Sequence, residues 1–275
     1  MHKKKVKPGI IIKYIILIMV SVLMLYPLLW MGISSLKENS EIFSRPFALP
    51  SNPKWENYSL AWEAAEVPVH MLNSVFYSVT AVIFTVAFSA MAAYVIARLS
   101  KGKKLYHYFS LGIMIPINAI IIPFILIFRK IDILNTRQGI ILAFIVTNLA
   151  FSIFILVPFM KELPEELEDA AMIDGCGRVQ TFCRIILPIS KGGLATVGTF
   201  VLLNSWNDLF LSLLIISKQD FITLNQVCYN MKAQYVSDYG LISAAVMILI
   251  LPVLIFFILF QKQVVKGMTA GSIKG

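Results

Sequence analysis

Long apolar runs separated by short polar stretches fill almost the whole chain. Six runs are long enough to cross a ~30 Å hydrocarbon core as helices of roughly 20 residues. They cover about 14–34, 73–97, 107–128, 139–160, 193–216 and 241–260. The runs are continuously apolar rather than alternating, which excludes barrel strands. Backbone groups in lipid must be satisfied within their own segment, so the pattern predicts helices. The expected fold class is an all-α integral membrane protein with six transmembrane helices, forming a single domain over residues 1–275. The first run is too long for a signal-peptide core and has no small-residue cleavage pattern near 24–30, so it reads as an anchor.

One polar interruption, about 161–192, has its own periodicity. Leu163-Pro164-Glu165 predicts a helix start, with Glu165, Glu166, Glu168 and Asp169 placed to favour the positive end of the helix dipole. Leu167, Ala170 and Ala171 form a small apolar face with Met172 beside it. Gly175 suits a left-handed stop, and Gly177 loosens the turn. A second helix is predicted from Val179, Phe182, Cys183 and Ile186 at i, i+3, i+4 and i+7, ended by Leu187-Pro188. Six acids between 162 and 174 face only Lys161 at their edge, so anionic headgroups would repel the first helix. Such a helix–turn–helix suits docking to a partner protein.

Composition agrees with a membrane protein: the 275 residues are 58% hydrophobic and 14% charged, with a mean hydropathy of +0.79. Soluble domains lie nearer half apolar and a quarter charged. Charge then sets the orientation. With both termini inside, the inner segments hold sixteen Lys and Arg residues, among them Lys13, Arg98, Lys103, Lys161, Arg178 and Lys262, against eight outside. That bias predicts cytoplasmic termini, and the net charge of +9 reports topology and contact with anionic membrane lipid rather than nucleic acid.

Several chemistries lack their residues. Cys176 and Cys183 are expected on the reducing side and Cys228 outside, so no disulfide framework follows. His2, His70 and His107 are scattered, which gives no metal site. Gly102-Lys103 is followed by Lys104 and position 97 is Ala, so there is no phosphate-cradling loop, and no nucleophile elbow or zinc helix either. No catalytic residue, cofactor or enzyme activity is therefore assigned. Of the fifteen acids, only Asp208 falls inside an expected span, which argues against a stand-alone ion-driven carrier with a buried proton relay.

These residues carry a family resemblance. "DAAMIDGCGRVQTFCRIILPIS" resembles the EAA loop of ABC-importer permeases: Asp169, Ala170 and Ala171 match the triplet with Asp for Glu, and Asp174, Gly175, Ile185, Leu187 and Pro188 match further on. Gly192 stands where a second Pro commonly follows. "NSWNDLF" at 204–210 and the closing "KGMTAGSIKG" at 266–275 are similar to permeases of the maltose/oligosaccharide class. The resemblance implies a type I importer permease in a prokaryotic inner membrane, paired with a second homologous permease. It implies an ATP-binding subunit dimer docked on the loop through Asp169, Ala170, Ala171, Asp174, Gly175, Leu187 and Pro188. It also implies an extracytoplasmic sugar-binding protein facing residues 35–72 and 217–240. ATP would bind the partners, so no cofactor is expected in this chain. A permease for a non-sugar solute, or a secondary transporter, are the alternatives.

Polar residues within the expected spans have two readings. Asn73, Ser74, Tyr77, Thr80, Asn118, Thr147, Asn148, Asn204, Ser205 and Asn207 could line a sugar path or bond helix to helix. Asp208 is expected to face a path or gate, with Asn204 and Asn207 on or near its helix face and Trp206 available to a neighbouring permease. Ser89, Ala93 and Ala97 predict close helix packing.

Overall fold

The computed structural model describes residues 8–98, 102–234 and 238–270. Lys3, Lys4, Lys5, Lys7, Lys101, Lys274 and the end of the 266–275 motif lie outside the described residues. Among the described residues every regular element is helical. Four helices are long and apolar enough to cross a membrane, or up to six spans if each of two bent pairs is one span.

The chain packs as two units, one of them built from residues up to Val67 together with Cys228–Pro252. Its helix α1 (Pro8–Ser34) exposes Ile11, Ile15, Ile18, Val22 and Leu25 around its circumference, as a lipid-facing span must. The following stretch folds into a cap with α2 (Asn39–Ser44) and α3 (Glu56–Ala64). Asn57 Nδ2 donates to Ser35 O at 2.9 Å, and Lys37, fully buried, donates from Nζ to Arg45 O at 2.9 Å. Glu41 accepts from Ser51 N and Oγ at 2.7 and 2.8 Å, and these bonds hold its carboxyl below the usual carboxylate range. The cap is thus folded structure rather than a solvated connector.

The second unit begins at Pro68 and centres on α7 (Arg137–Lys161). Thr136 Oγ1 accepts from Gly139 N at 3.0 Å and starts this helix. Ile140, Ala143, Phe144, Ile153, Leu156 and Val157 are buried along it. On one side lies α5 (Gly102–Met114), where a Cβ at Gly112 would stand 3.1 Å from Ala150. On the other lies α11 (Lys191–Asn207), with Phe200 edge-on to Phe151 at 5.6 Å and Gly193 tight against the Phe159 ring. Helix α4 (Val67–Arg98) buries Ser89 and Ala93 and half-buries Ala97.

The structure departs from the expected spans at two places. Over 107–128 the chain makes α5 and α6 (Ile117–Lys130), bent by 97°. Pro116 is extended (φ −68, ψ 134) and disfavours helix at the residue before it, so the apolar run breaks there. Over 193–216 the helix stops at Asn207, and α12 (Phe210–Ile215) begins after Asp208-Leu209.

Candidate functional site

The interhelical loop is built around one turn. Helix α8 (Glu166–Ile173) ends with Gly175 at φ +78. Gly175 N bonds Met172 O at 3.0 Å and Cys176 N bonds Ala171 O at 2.9 Å, the paired 5→2 and 6→1 bonds of a Schellman stop. Gly177 then precedes α9 (Arg178–Thr181), its N–H bonding Gln180 Oε1 at 3.2 Å.

The second loop helix does not end at Leu187-Pro188. It passes through a π-helical turn, Phe182–Ile186, into α10 (Leu187–Ile189), and bends by 76° into α11 at Ser190. Leu187 N reaches back to Phe182 O, one residue further than in an α-helix. Pro188 has no N–H and its ring crowds the carbonyl four residues before it; the wider turn makes that room.

The apolar residues of the loop divide between two directions. Ala171 and Ile186 are buried and Leu167 and Phe182 half-buried, tying the loop to its own chain. Met172, Ile173 and Val179, exposed by 58%, 86% and 76%, form an apolar tip flanking the Gly175 turn. The expected faces are corrected accordingly: Ala170, Val179 and Cys183 point outward. Asp169, Asp174 and Pro188 are exposed and Leu187 half-buried.

The loop also receives side chains from α4. Arg98 Nε donates to Glu168 Oε1, its Nη2 donates to Leu163 O at 3.1 Å, and Tyr94 OH donates to Glu168 Oε2 at 3.1 Å. Sequence reasoning named Arg98 and Glu168 only as charges and did not name Tyr94. The one signal on offer was a cation ending a span near an acid beside the triplet.

A cavity of about 460 Å³ lies among α6, α7, α11 and α12. Asn118, Thr147, Asn148, Asn204 and Asp208 supply its polar lining, with Phe144 and Phe210 as aromatic walls. Asn204 Nδ2 donates to Asn148 Oδ1 at 3.0 Å, and Asn148 Nδ2 donates to Phe144 O at 2.8 Å. Thr147 Oγ1 bonds Ala143 O at 2.8 Å.

Asp208 is at the cavity but not inside a helix. Its carboxylate accepts from Ser212 N at 3.0 Å, Ser212 Oγ at 3.2 Å and Leu211 N at 3.4 Å, so it satisfies the free N–H groups that open α12. A helix N-terminus, rather than a second ionic group, is what holds this charge. Asn207 is exposed and is not a lining residue of the cavity, and Trp206 is buried within its own chain, where its carbonyl accepts from Asn225 Nδ2 at 2.9 Å.

Asn73, Ser74 and Tyr77 belong to a different structure. Asn73 Nδ2 bonds Asp220 O at 2.8 Å, Tyr77 OH bonds Phe221 O at 2.9 Å, and Ser74 Oγ accepts from Leu224 N at 2.9 Å. These side chains fasten the segment after α12 to α4.

The described residues thus combine apolar helices long enough to cross a membrane with a helix–turn–helix loop and a polar-lined cavity. Residues 100–270 match the model for the binding-protein-dependent transport system inner membrane component. The chain belongs to that family and is a transport component rather than an enzyme. It is 35% identical over 267 residues to the diacetylchitobiose uptake system permease protein NgcG of Streptomyces coelicolor, covering 96% of this chain and 88% of that one. The sulfoquinovosyl glycerol transport system permease protein SmoH of Agrobacterium fabrum is 31% identical, over 91% of this chain and 89% of its own. In fold, a chain of a bacterial ABC transporter involved in the import of the acidic polysaccharide alginate matches with a TM-score of 0.81. That match covers 95% of this chain and 98% of the other at 22% identity.

Proposed function

We propose that the chain is the membrane-spanning permease subunit of an ATP-driven carbohydrate importer, in a prokaryotic inner membrane with both termini in the cytoplasm. It forms half of the translocation pathway, and a second homologous permease forms the other half. An extracytoplasmic binding protein delivers the sugar. Two ATP-binding subunits dock on the loop at 161–192, so nucleotide chemistry stays outside this chain.

The observation that carries the sugar reading is the lining of the cavity: neutral amides and a hydroxyl beside aromatic walls, with its carboxylate engaged at the start of α12. Neutral amides and hydroxyls match sugar hydroxyls without demanding a counter-charge, and aromatic faces cover the apolar faces of the rings. Asn204 and Asp208 serve the path or gate; Asn207, away from the lining, serves it at most indirectly. The relatives' carbohydrate substrates support the same class.

Coupling follows from the loop. The apolar tip of Met172, Ile173 and Val179 docks in a cleft of the ATPase, with Asp169, Ala170, Ala171, Asp174 and Gly175 shaping the turn and Leu187-Pro188 the second helix. ATP binding closes the ATPase pair, and the loop passes that motion to the spans. Access alternates because nucleotide and solute bind the two states unequally.

The test is reconstitution of the chain with its second permease, ATPase and binding protein in proteoliposomes, using labelled mono- and oligosaccharides with amino acids as controls. ATP-dependent sugar uptake that needs every subunit is expected. Ion-gradient-driven uptake by this chain alone would overturn the reading.

A further inference from the structure

Arg98 is the last residue of α4, and its side chain is only 14% exposed. Its guanidinium is shared among three groups before and within α8: Glu168 Oε1, Leu163 O at 3.1 Å, and Glu165 Oε1 at 3.8 Å. Tyr94, one turn earlier on the same face, takes the other oxygen of Glu168 at 3.1 Å. Both oxygens of Glu168, itself 17% exposed, are therefore held by α4. The Tyr94 ring also lies 5.1 Å from the ring of Phe182, the first residue of the π-helical turn. One end of α4 thus grips both helices of the loop.

Apolar packing of α8 is thin, since Ala171 is its one buried residue. With Leu167 only half-buried beside it, non-directional apolar contact gives this eight-residue helix a weak hold against a load. Charge-assisted hydrogen bonds from a planar fork are directional, so they resist sideways as well as compressive displacement. The pair is shielded on both sides, so removing one partner leaves the other charge poorly solvated. At its opposite end α4 is bonded through Asn73 and Tyr77 to the segment at 220–221. Between Asn73 and Arg98 α4 is one continuous helix, a rod of about 35–40 Å at 1.5 Å per residue.

We propose that Arg98, Tyr94 and Glu168 form the link that carries displacement of the loop into α4, and so set how tightly ATP hydrolysis drives transport. They are positioning residues, because they touch neither solute nor nucleotide. The inference rests on the reading of the loop as the ATPase-docking element.

The experiment uses the complete importer in proteoliposomes and measures sugar moved per ATP hydrolysed, alongside the ATPase rate and subunit assembly. In Arg98→Gln and Glu168→Gln the complex assembles and hydrolyses ATP, but the ratio falls by about 2- to 30-fold, the span of measured coupling effects. Arg98→Lys, which keeps the charge and loses the fork, falls less than Arg98→Gln. A wild-type ratio in both glutamine variants overturns the proposal. If either fails to assemble, Tyr94→Phe decides, since it removes one hydrogen bond and keeps the ring against Phe182: a lowered ratio upholds the link and a wild-type ratio overturns it. Failure of the underlying docking reading looks different, because Ile173→Asp at the exposed tip then leaves ATPase binding and uptake at wild-type levels.

Discussion

Asn204 on α11 donates its side-chain amide to Asn148 Oδ1 on α7 at 3.0 Å, and both residues line the same cavity. One hydrogen bond therefore joins two helices and at the same time orients two amides towards the space a solute would cross. Interhelical polar bonds of this kind average only about 0.6 kcal/mol, with a ceiling near 1.7. That is too little to decide whether the chain assembles.

Asn204→Ala should consequently lower the thermal midpoint of the purified complex only slightly while raising the KM for sugar uptake. Uptake kinetics beside a thermal melt separate the two. An unchanged KM with a lower midpoint would return Asn204 to helix packing.

Gly175 sits at φ +78 with nothing within 4 Å of an added Cβ, so conformation and not space is what a side chain violates there. Left-handed backbone costs an L-residue roughly 1–2 kcal/mol, and more for a β-branched one. Gly175→Val should therefore reduce transport and ATPase stimulation, with Gly175→Asn closest to wild type because Asn tolerates this region. Normal transport in Gly175→Val would remove this loop from coupling.

Space is the limit at Gly193, where an added Cβ would stand 2.9 Å from Phe159 Cγ. Gly193→Ala should destabilise the α7–α11 contact by about 1–3 kcal/mol, the usual cost of overpacking. In a Phe159→Ala background the added cost of Gly193→Ala should shrink in a thermal melt, since the atoms the new Cβ meets are Phe159 Cγ, Cδ1 and Cδ2.

Much of this was legible locally. The Gly175 stop follows from a helix-length apolar pattern meeting a glycine, and the structure makes it with neighbouring backbone atoms only. Breaks inside apolar runs were harder to see. Ile115-Pro116 carried a signal, but hydropathy averages over it, and the run 107–128 reads as one span. Asp208 read as a lone acid in a helix because a capping carboxylate and a buried one look alike in sequence; only the turn after it tells them apart. The Arg98–Glu168 pair is separated by 70 positions, and no periodicity relates residues that far apart.

The cysteines give a test of both topology and packing. Cys183 is exposed on the loop, whereas Cys228 is buried, donates to Ala245 O at 3.7 Å, and has its thiol pushed up to about 11 by that burial. The thiolate is the reactive form, so Cys228 is doubly protected near neutral pH. A maleimide should label Cys183 and leave Cys228 unmodified until the protein is denatured. A membrane-impermeant reagent should reach Cys183 only from the cytoplasmic face, and bound ATPase should slow it. Labelling from the outer face would invert the proposed orientation.

Asp208 joins the cavity to the start of α12, and the two roles can be separated by substitution. Asn caps a helix start about as well as Asp, so Asp208→Asn should keep the shorter bond from Ser212 N on its one oxygen, giving up the longer one from Leu211 N, while removing the charge. Asp208→Ala removes both, and the loss of a cap typically costs about 1 kcal/mol. The midpoint of thermal unfolding should therefore fall in Asp208→Ala and stay near wild type in Asp208→Asn. Transport is the separate reading. If the charge acts in the path or gate, Asp208→Asn alters uptake kinetics or sugar moved per ATP even though α12 is intact. Wild-type kinetics in Asp208→Asn with a destabilised Asp208→Ala would make the residue a helix cap and nothing more.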